Sequence, residues 1–213
     1  LLSFVKPLWV IIFIIIFDLL WCFRVIYFNI FVLLAWFRYH RTTRTDWQAQ
    51  LRTVSGSEDI FHLIFLPTYQ EAYPIVQTTL LSLRENSYPN DHLIVVLCGE
   101  EADQERFGHV ADEAQKEFGQ TFKKLYITVH PKGLPDEIPG KGSNLHWSGH
   151  AIAQRLSEDF SGLDDEHVVV SAFDVDTIAH PQYFSHVTYL FCTVEDPLHS
   201  SYQPVALFSN NIW

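Results

Sequence analysis

From Pro7 to Phe37 the chain reads PLWVIIFIIIFDLLWCFRVIYFNIFVLLAWF, an almost unbroken apolar run. About 20 apolar residues, each rising 1.5 Å along a helix, cross a hydrocarbon core of about 30 Å, so this run suffices for one tilted helix. Residues 1–40 are therefore expected to form a transmembrane anchor. Asp18 and Arg24 interrupt the run six residues apart, on different helix faces, so they are not an ion pair within the helix; each faces a partner helix or snorkels. The alternative is a pair of shorter interfacial segments separated by a solvated kink. A cleavable signal peptide would have a shorter apolar core and a small-residue exit, whereas here Trp36-Phe37 leads into Arg38, His40, Arg41 and Arg44. This basic flank predicts that the remainder lies on the cytoplasmic side. Residues 41–57, with Thr45–Gly56 at their centre, read as an interfacial linker rather than a core element, and residues 58–213 as the folded domain.

Charge narrows what that domain can bind. Residues 39–213 hold 11 Lys and Arg against 24 Asp and Glu, a net of −13. Such a surface repels polyanions and argues against nucleic-acid binding, but it leaves room for a small anion bridged by a cation. Cys22, Cys98 and Cys192 are odd in number, far apart and set in apolar runs, the pattern of free thiols in a reducing compartment. No CxxC or Cys/His zinc spacing is present. The sequence contains no Met and begins Leu1-Leu2-Ser3, so it is expected to be part of a longer chain.

After residue 58, strand and helix signals alternate. Ile60–Leu66 is a short β-rich run stopped by Pro67; Pro74 suits a first helical position, and Ile75, Thr78, Thr79, Leu80 and Leu83 keep a helical period up to the turn Ser87–Asp91. His92–Cys98 predicts a second strand, Glu101–Phe118 an acidic helix, Phe122–Val129 a third strand, Pro131–Gly142 a loop, Ser143–Leu156 a helix and His167–Phe173 a fourth strand. Strands separated by helices build βαβ units and a mainly parallel sheet covered on both faces, with ligands at the carboxyl ends of the strands.

Those ends carry unusual polar groups. The first strand runs into Pro67-Thr68-Tyr69-Gln70-Glu71, the second into Gly99-Glu100-Glu101-Ala102-Asp103 and the fourth into Asp174-Val175-Asp176. Two carboxylates two residues apart after an apolar strand offer hard oxygen ligands for Mg²⁺ or Mn²⁺ in company with phosphate oxygens; the bland alternative is a solvated acidic turn. In Gly140-Lys141-Gly142-Ser143-Asn144 the glycines permit close backbone approach, and Lys141 adds a compact positive charge at a helix start, which together suit a phosphate. The spacing is not that of a Walker A motif. His146 and His150 stand four apart on a helix without a third ligand nearby and read as ordinary helical histidines, and Glu195-Asp196 before Pro197 reads as a solvated turn.

Taken in order, Pro67–Glu71, Gly140–Asn144, Asp174-Val175-Asp176, His180-Pro181-Gln182-Tyr183-Phe184, Gln203-Pro204 and Asn210-Asn211 resemble the family 2 glycosyltransferases of GT-A fold, in their membrane-anchored, cellulose- or hyaluronan-synthase-like branch. The resemblance covers about residues 60–213. It implies an α/β, GT-A type domain with a mainly parallel sheet that binds a nucleotide-diphospho-sugar, a UDP-sugar above others, and passes the sugar with inversion to a polysaccharide or lipid-linked acceptor. It also implies donor contacts from Pro67, Thr68, Tyr69, Glu71, Lys141, Asn144 and Asp174, and a Mg²⁺ or Mn²⁺ ion on Asp174 and Asp176 bridging the diphosphate. The family's aspartate after the second strand has no direct counterpart, so either Glu100 or Glu101 stands in for it or the base is held differently. The family's general base is expected beyond Trp213.

Two rivals belong to other classes. A haloacid-dehalogenase-like phosphatase would use Asp174 as a nucleophile, although Thr177-Ile178 is shifted from that motif's threonine and the motif follows three strands instead of opening the domain. A membrane-tethered protein that binds sugar nucleotides without turnover would keep the fold and lose the chemistry.

Overall fold

A computed structural model describes residues 2–135 and 137–205. It divides into two compact units, one built on the N-terminal helix and the other on Asp46–Tyr202.

After a short helical turn at Leu2–Val5, helix α1 runs unbroken from Pro7 to Arg44, with Pro7 in its first turn and Arg41 and Arg44 in its last. Pro at that position gives up an N–H that has no partner anyway, and the two arginines complement the negative end of the helix dipole. Its 38 residues extend roughly 57 Å, and it is long and apolar enough to cross a membrane. The kinked alternative is not what the backbone adopts. Asn29 Nδ2 donates to Val25 O at 2.8 Å, satisfying that amide inside the helix, and the Arg24 guanidinium lies 5.4 Å from the Trp21 ring centre.

The second unit is an α/β sandwich. Its elements are α2 (Trp47–Leu51), β1 (Phe61–Pro67), α3 (Tyr73–Arg84), β2 (Leu93–Glu100), α4 (Gln104–Phe118), β3 (Lys124–His130), α5 (Lys141–Asp159), β4 (Val168–Ala172) and α6 (Tyr183–Thr193). The four strands form one parallel sheet in the order β3-β2-β1-β4. Parallel crossovers are right-handed, so a chain stepping from β1 to β2 to β3 lays both connecting helices on one face, and the step back across the sheet to β4 lays its helix on the other. The packing follows this rule. Ile64, Leu66, Val95 and Leu97 pack with Val76, Leu80 and Leu83 of α3 and with Phe107, Val110, Ala114 and Phe118 of α4. Leu63, Phe65, Ile94, Val96 and Cys98 face Ile152 of α5. Because both faces are covered, β1 and β2 are apolar without alternation. The cover thins at β4, an edge strand among the described residues, where Val170 is 63% exposed.

Several boundaries move from their predicted positions. Pro67 ends β1 inside the ladder, in register with Cys98, and β2 and β3 continue to Glu100 and His130, which face each other across the pair. Helix α5 starts two residues early, at Lys141, because the Ser143 side chain closes its first turn: Gly140 N–H donates to Ser143 Oγ at 3.0 Å, and that hydroxyl donates to Gly140 O at 2.6 Å. Helix α6 was not expected. The motif ahead of it is structural: Asn86 Nδ2 donates to His180 O, Ser87 N–H donates to Pro181 O, and Phe184 is fully buried.

The expected linker is partly a core element. Asp46 caps α2 by accepting Ala49 N–H at 3.1 Å, Trp47 N–H donates to Gln182 Oε1 at 2.7 Å, and the Trp47 ring stacks on His186 with centroids 3.8 Å apart. Leu51 is buried in the α3/α4 core. Only one apolar side chain in this stretch enters the core, so no periodic pattern announced it. Leu51→Ala is expected to cost about 2 kcal/mol in a urea melt, where a solvated linker would show no change.

His62 is the other surprise of the core. It is wholly buried on β1, Nε2 lies 2.8 Å from Thr188 Oγ1, and Nδ1 meets no hydrogen-bonding group among the described residues. Burial first, and His92 second, push its pKa down to about 3. With the folded value below the unfolded one of 6.5, stability is intact above pH 6.5 and falls as pH drops towards about 3, where the chain prefers to unfold and take up the proton. The loss should total roughly 3–5 kcal/mol, and His62→Gln, which does not titrate, should flatten the stability–pH curve in that window.

Candidate functional site

The sheet order creates a switch point between β1 and β4, where the connections leave in opposite directions and the carboxyl ends open a crevice. Thr68 N–H donates to Cys98 O at 2.8 Å, extending the β1–β2 ladder one step past Pro67, and Phe173 N–H donates to Phe65 O at 3.0 Å on the other side. The segments Thr68–Glu71 and Asp174–Asp176 therefore leave from neighbouring strand ends.

Within the β1–α3 loop, Thr68 is buried and its hydroxyl donates to Leu66 O. Tyr69 is about half exposed, and its N–H donates to Glu71 Oε2 at 2.5 Å, so the Glu71 carboxylate closes its own turn. Gln70 takes φ 68°, the only non-glycine with positive φ among the described residues. A β-carbon makes this region costly, and two groups from the end of β2 hold the residue there. Gln70 N–H donates to Asp103 Oδ2 at 3.0 Å, Arg106 Nη1 donates to Gln70 O at 3.0 Å, and Arg106 pairs with Asp103 at 3.7 Å. Asp103 and Arg106 are site-forming residues that the sequence reading passed over; an acid and a base three apart at a helix start was the available signal.

Glu100 and Glu101 do not reach this loop. Glu100 Oε2 lies 2.8 Å from His130 Nδ1, and Glu101 Oε2 accepts Lys132 N–H at 2.7 Å, so both carboxylates are engaged by the segment after β3. Gly99 precedes them because a Cβ there would overlap the Phe107 ring, which packs under the strand end.

Lys141 and Asp174, 33 residues apart, are brought together as an ion pair, both side chains largely open to water. Gly140 before it has φ 159° and ψ −179°, a conformation that side chains with a β-carbon avoid. Asn144 is not at the surface: its Nδ2 donates to Cys98 O at 3.0 Å and Gly99 O at 3.3 Å, Ser148 Oγ donates to its Oδ1 at 3.1 Å, and Ser148 continues to Thr128 Oγ1 at 2.8 Å. Asn144 thus anchors the start of α5 to the end of β2, leaving Lys141 to face outward.

Asp174 O accepts Thr177 N–H in a turn, Val175 is buried, and Asp176 is exposed. Buried Thr79 donates its hydroxyl to Val175 O at 2.5 Å, so α3 fixes the backbone between the two aspartates. Among the described residues, no group of three or more His, Cys, Asp or Glu side chains is arranged to hold a metal. Asp174 and Asp176 therefore offer a divalent cation a partial set of hard oxygen donors, to be completed by phosphate and water. Of the remaining motif residues, Gln203 and Pro204 are exposed, and Asn210 and Asn211 lie outside the described residues. His146 and His150, exposed on α5, bring their Nε2 atoms to 3.2 Å.

The Asp103 clamp makes a stability prediction. Asp103→Ala is expected to cost about 1–2 kcal/mol, and Gln70→Gly, which takes the same backbone region freely, to gain up to about 1 kcal/mol. Urea-unfolding midpoints check both; an unchanged Asp103→Ala midpoint would mean that Gln70 holds its conformation unaided.

Comparison with known proteins places no relative beside this chain: no family model, no curated protein and no solved structure matches it.

Proposed function

We propose that this chain binds a nucleotide-diphospho-sugar, with UDP-sugars preferred, at the carboxyl ends of β1 and β4, as a membrane-anchored glycosyltransferase of the family 2, GT-A type with its α/β unit on the cytoplasmic side. One observation carries the reading: Lys141, from the glycine-flanked start of α5, meets Asp174 beyond β4, beside the switch point of a parallel sheet. An ammonium paired with an exposed carboxylate can exchange it for a phosphate oxygen at little cost, since both partners are already half solvated. Asp174 and Asp176 would hold Mg²⁺ or Mn²⁺, which supplies charge stabilisation for the departing diphosphate.

The chain's own contributions follow from position. Lys141 turns from Asp174 to the diphosphate and stabilises the charge that develops as the sugar–phosphate bond breaks. Exposed Tyr69, held at a turn closed by Glu71, offers a flat face to a base or sugar. Asn144 keeps α5 seated so that Lys141 is presented at a fixed height. Transfer to a polysaccharide or lipid-linked hydroxyl further requires a base to take its proton.

Calorimetry on the full chain in detergent tests this reading, with UDP-glucose, UDP-N-acetylglucosamine and GDP-mannose, each with and without Mn²⁺. Binding of a UDP-sugar that depends on Mn²⁺ is expected, weakened about tenfold or more by Lys141→Ala and abolished by Asp174→Ala/Asp176→Ala. A folded protein that takes up no nucleotide under any metal condition would sink the proposal, and an acid-stable phosphate adduct on Asp174 would replace it with the phosphatase.

A further inference from the structure

Strand β3 ends on His130, and the sheet register sets it opposite Glu100, the last residue of β2. His130 Nδ1 lies 2.8 Å from Glu100 Oε2, and Nε2 lies 3.1 Å from Glu137 Oε2 on the β3–α5 loop. The imidazole is only 4% exposed, and the carboxylates are about one-fifth exposed. An ionised carboxylate accepts hydrogen bonds and donates none, so both contacts form only when both ring nitrogens carry a hydrogen. A second tie fastens the start of the same loop, where Lys132 N–H donates to Glu101 Oε2. Past Glu137 the loop reaches Gly140 and Lys141, and Lys141 pairs with Asp174.

We propose that the Glu100–His130–Glu137 bridge is a pH-sensitive latch that holds the β3–α5 loop down and thereby positions Lys141, which makes His130 a positioning residue of the phosphate site. The effect on ligand binding rests on the donor-site reading above; the latch itself rests on the bridge. The charged groups facing His130 are Glu100 from β2 and Glu137 from the loop, while α5 contributes the uncharged Trp147 ring at 6.1 Å. Burial disfavours the protonated ring, but hydrogen bonds and charge from the two glutamates outweigh it and raise the pKa above the usual 6.5. The sign follows: the latch is complete below pH 6.5 and is lost as pH rises through the raised value.

The test uses the full chain in micelles, read by NMR titration of the His130 ring and by hydrogen exchange of Lys132, Gly133, Leu134 and Ile138, corrected for intrinsic rates. Glu137→Ala removes one arm of the bridge and leaves the strands untouched. His130 should titrate above 6.5 in the native chain and shift downward in Glu137→Ala, with loop exchange at pH 7 about tenfold faster in the variant. His130→Gln, which cannot bridge two ionised carboxylates as a cationic ring does, should exchange fast at every pH. A His130 that titrates at or below 6.5, or loop exchange indifferent to Glu137→Ala, overturns the latch. Isothermal titration with UDP and Mn²⁺ separates the two ideas. If exchange behaves as expected and UDP does not bind, the latch stands and the donor reading falls. If UDP binds equally well to the native chain and Glu137→Ala at pH 7, positioning of Lys141 by the latch is overturned.

Discussion

Strand β1 is the member of the sheet on which the rest is assembled. It is hydrogen-bonded along both edges, to β2 through His62–Pro67 and to β4 through Phe61–Phe65, and its side chains enter the cores on both faces. Once β1 is flanked in this way, right-handed crossovers leave little freedom: α3 and α4 must share one face and α5 must take the other. The same arrangement sends the loops after β1 and β4 apart, and that divergence is what opens the crevice. Fold and site therefore share one cause, the seating of a single strand between neighbours from opposite directions of the chain.

The parts of this plan that depend on buried periodicity were legible in the sequence. Runs such as His92–Cys98 and His167–Phe173 can satisfy their apolar side chains only in a covered parallel sheet, and each appears as a strand within one or two residues. The apolar run from Pro7 to Phe37 likewise dictated one long helix. What escaped notice rests on single residues. Helix α2 docks through Leu51 and the Trp47–His186 stack, which makes no pattern along the chain. The extension of α5 back to Lys141 depends on one serine hydroxyl.

At the site, residue chemistry was readable and partnership was not. The Lys141–Asp174 pairing joins two motifs recognised separately, but nothing local says that they meet. Asn144 has the composition of a ligand contact and serves as a fastener, because its amide lies over carbonyls at the end of β2. Glu100 and Glu101 face the β3–α5 loop, and Asp103 supports Gln70 instead. Which carboxylate serves which loop is fixed by the pleat and by the turn after β2, and three acidic residues within four positions are indistinguishable until that turn is built.

The thin cover over β4 has a practical side. Val170 points into water from a strand whose outer backbone edge has no partner strand among the described residues. Its five residues include three consecutive valines and no charge, proline or glycine, so the usual devices that keep sheet edges from pairing are missing from the strand itself. In a concentrated preparation of the Asp46–Tyr202 unit, this is the seam along which molecules would stitch together first. A single lysine in place of Val170 is where a soluble version for crystallisation should begin.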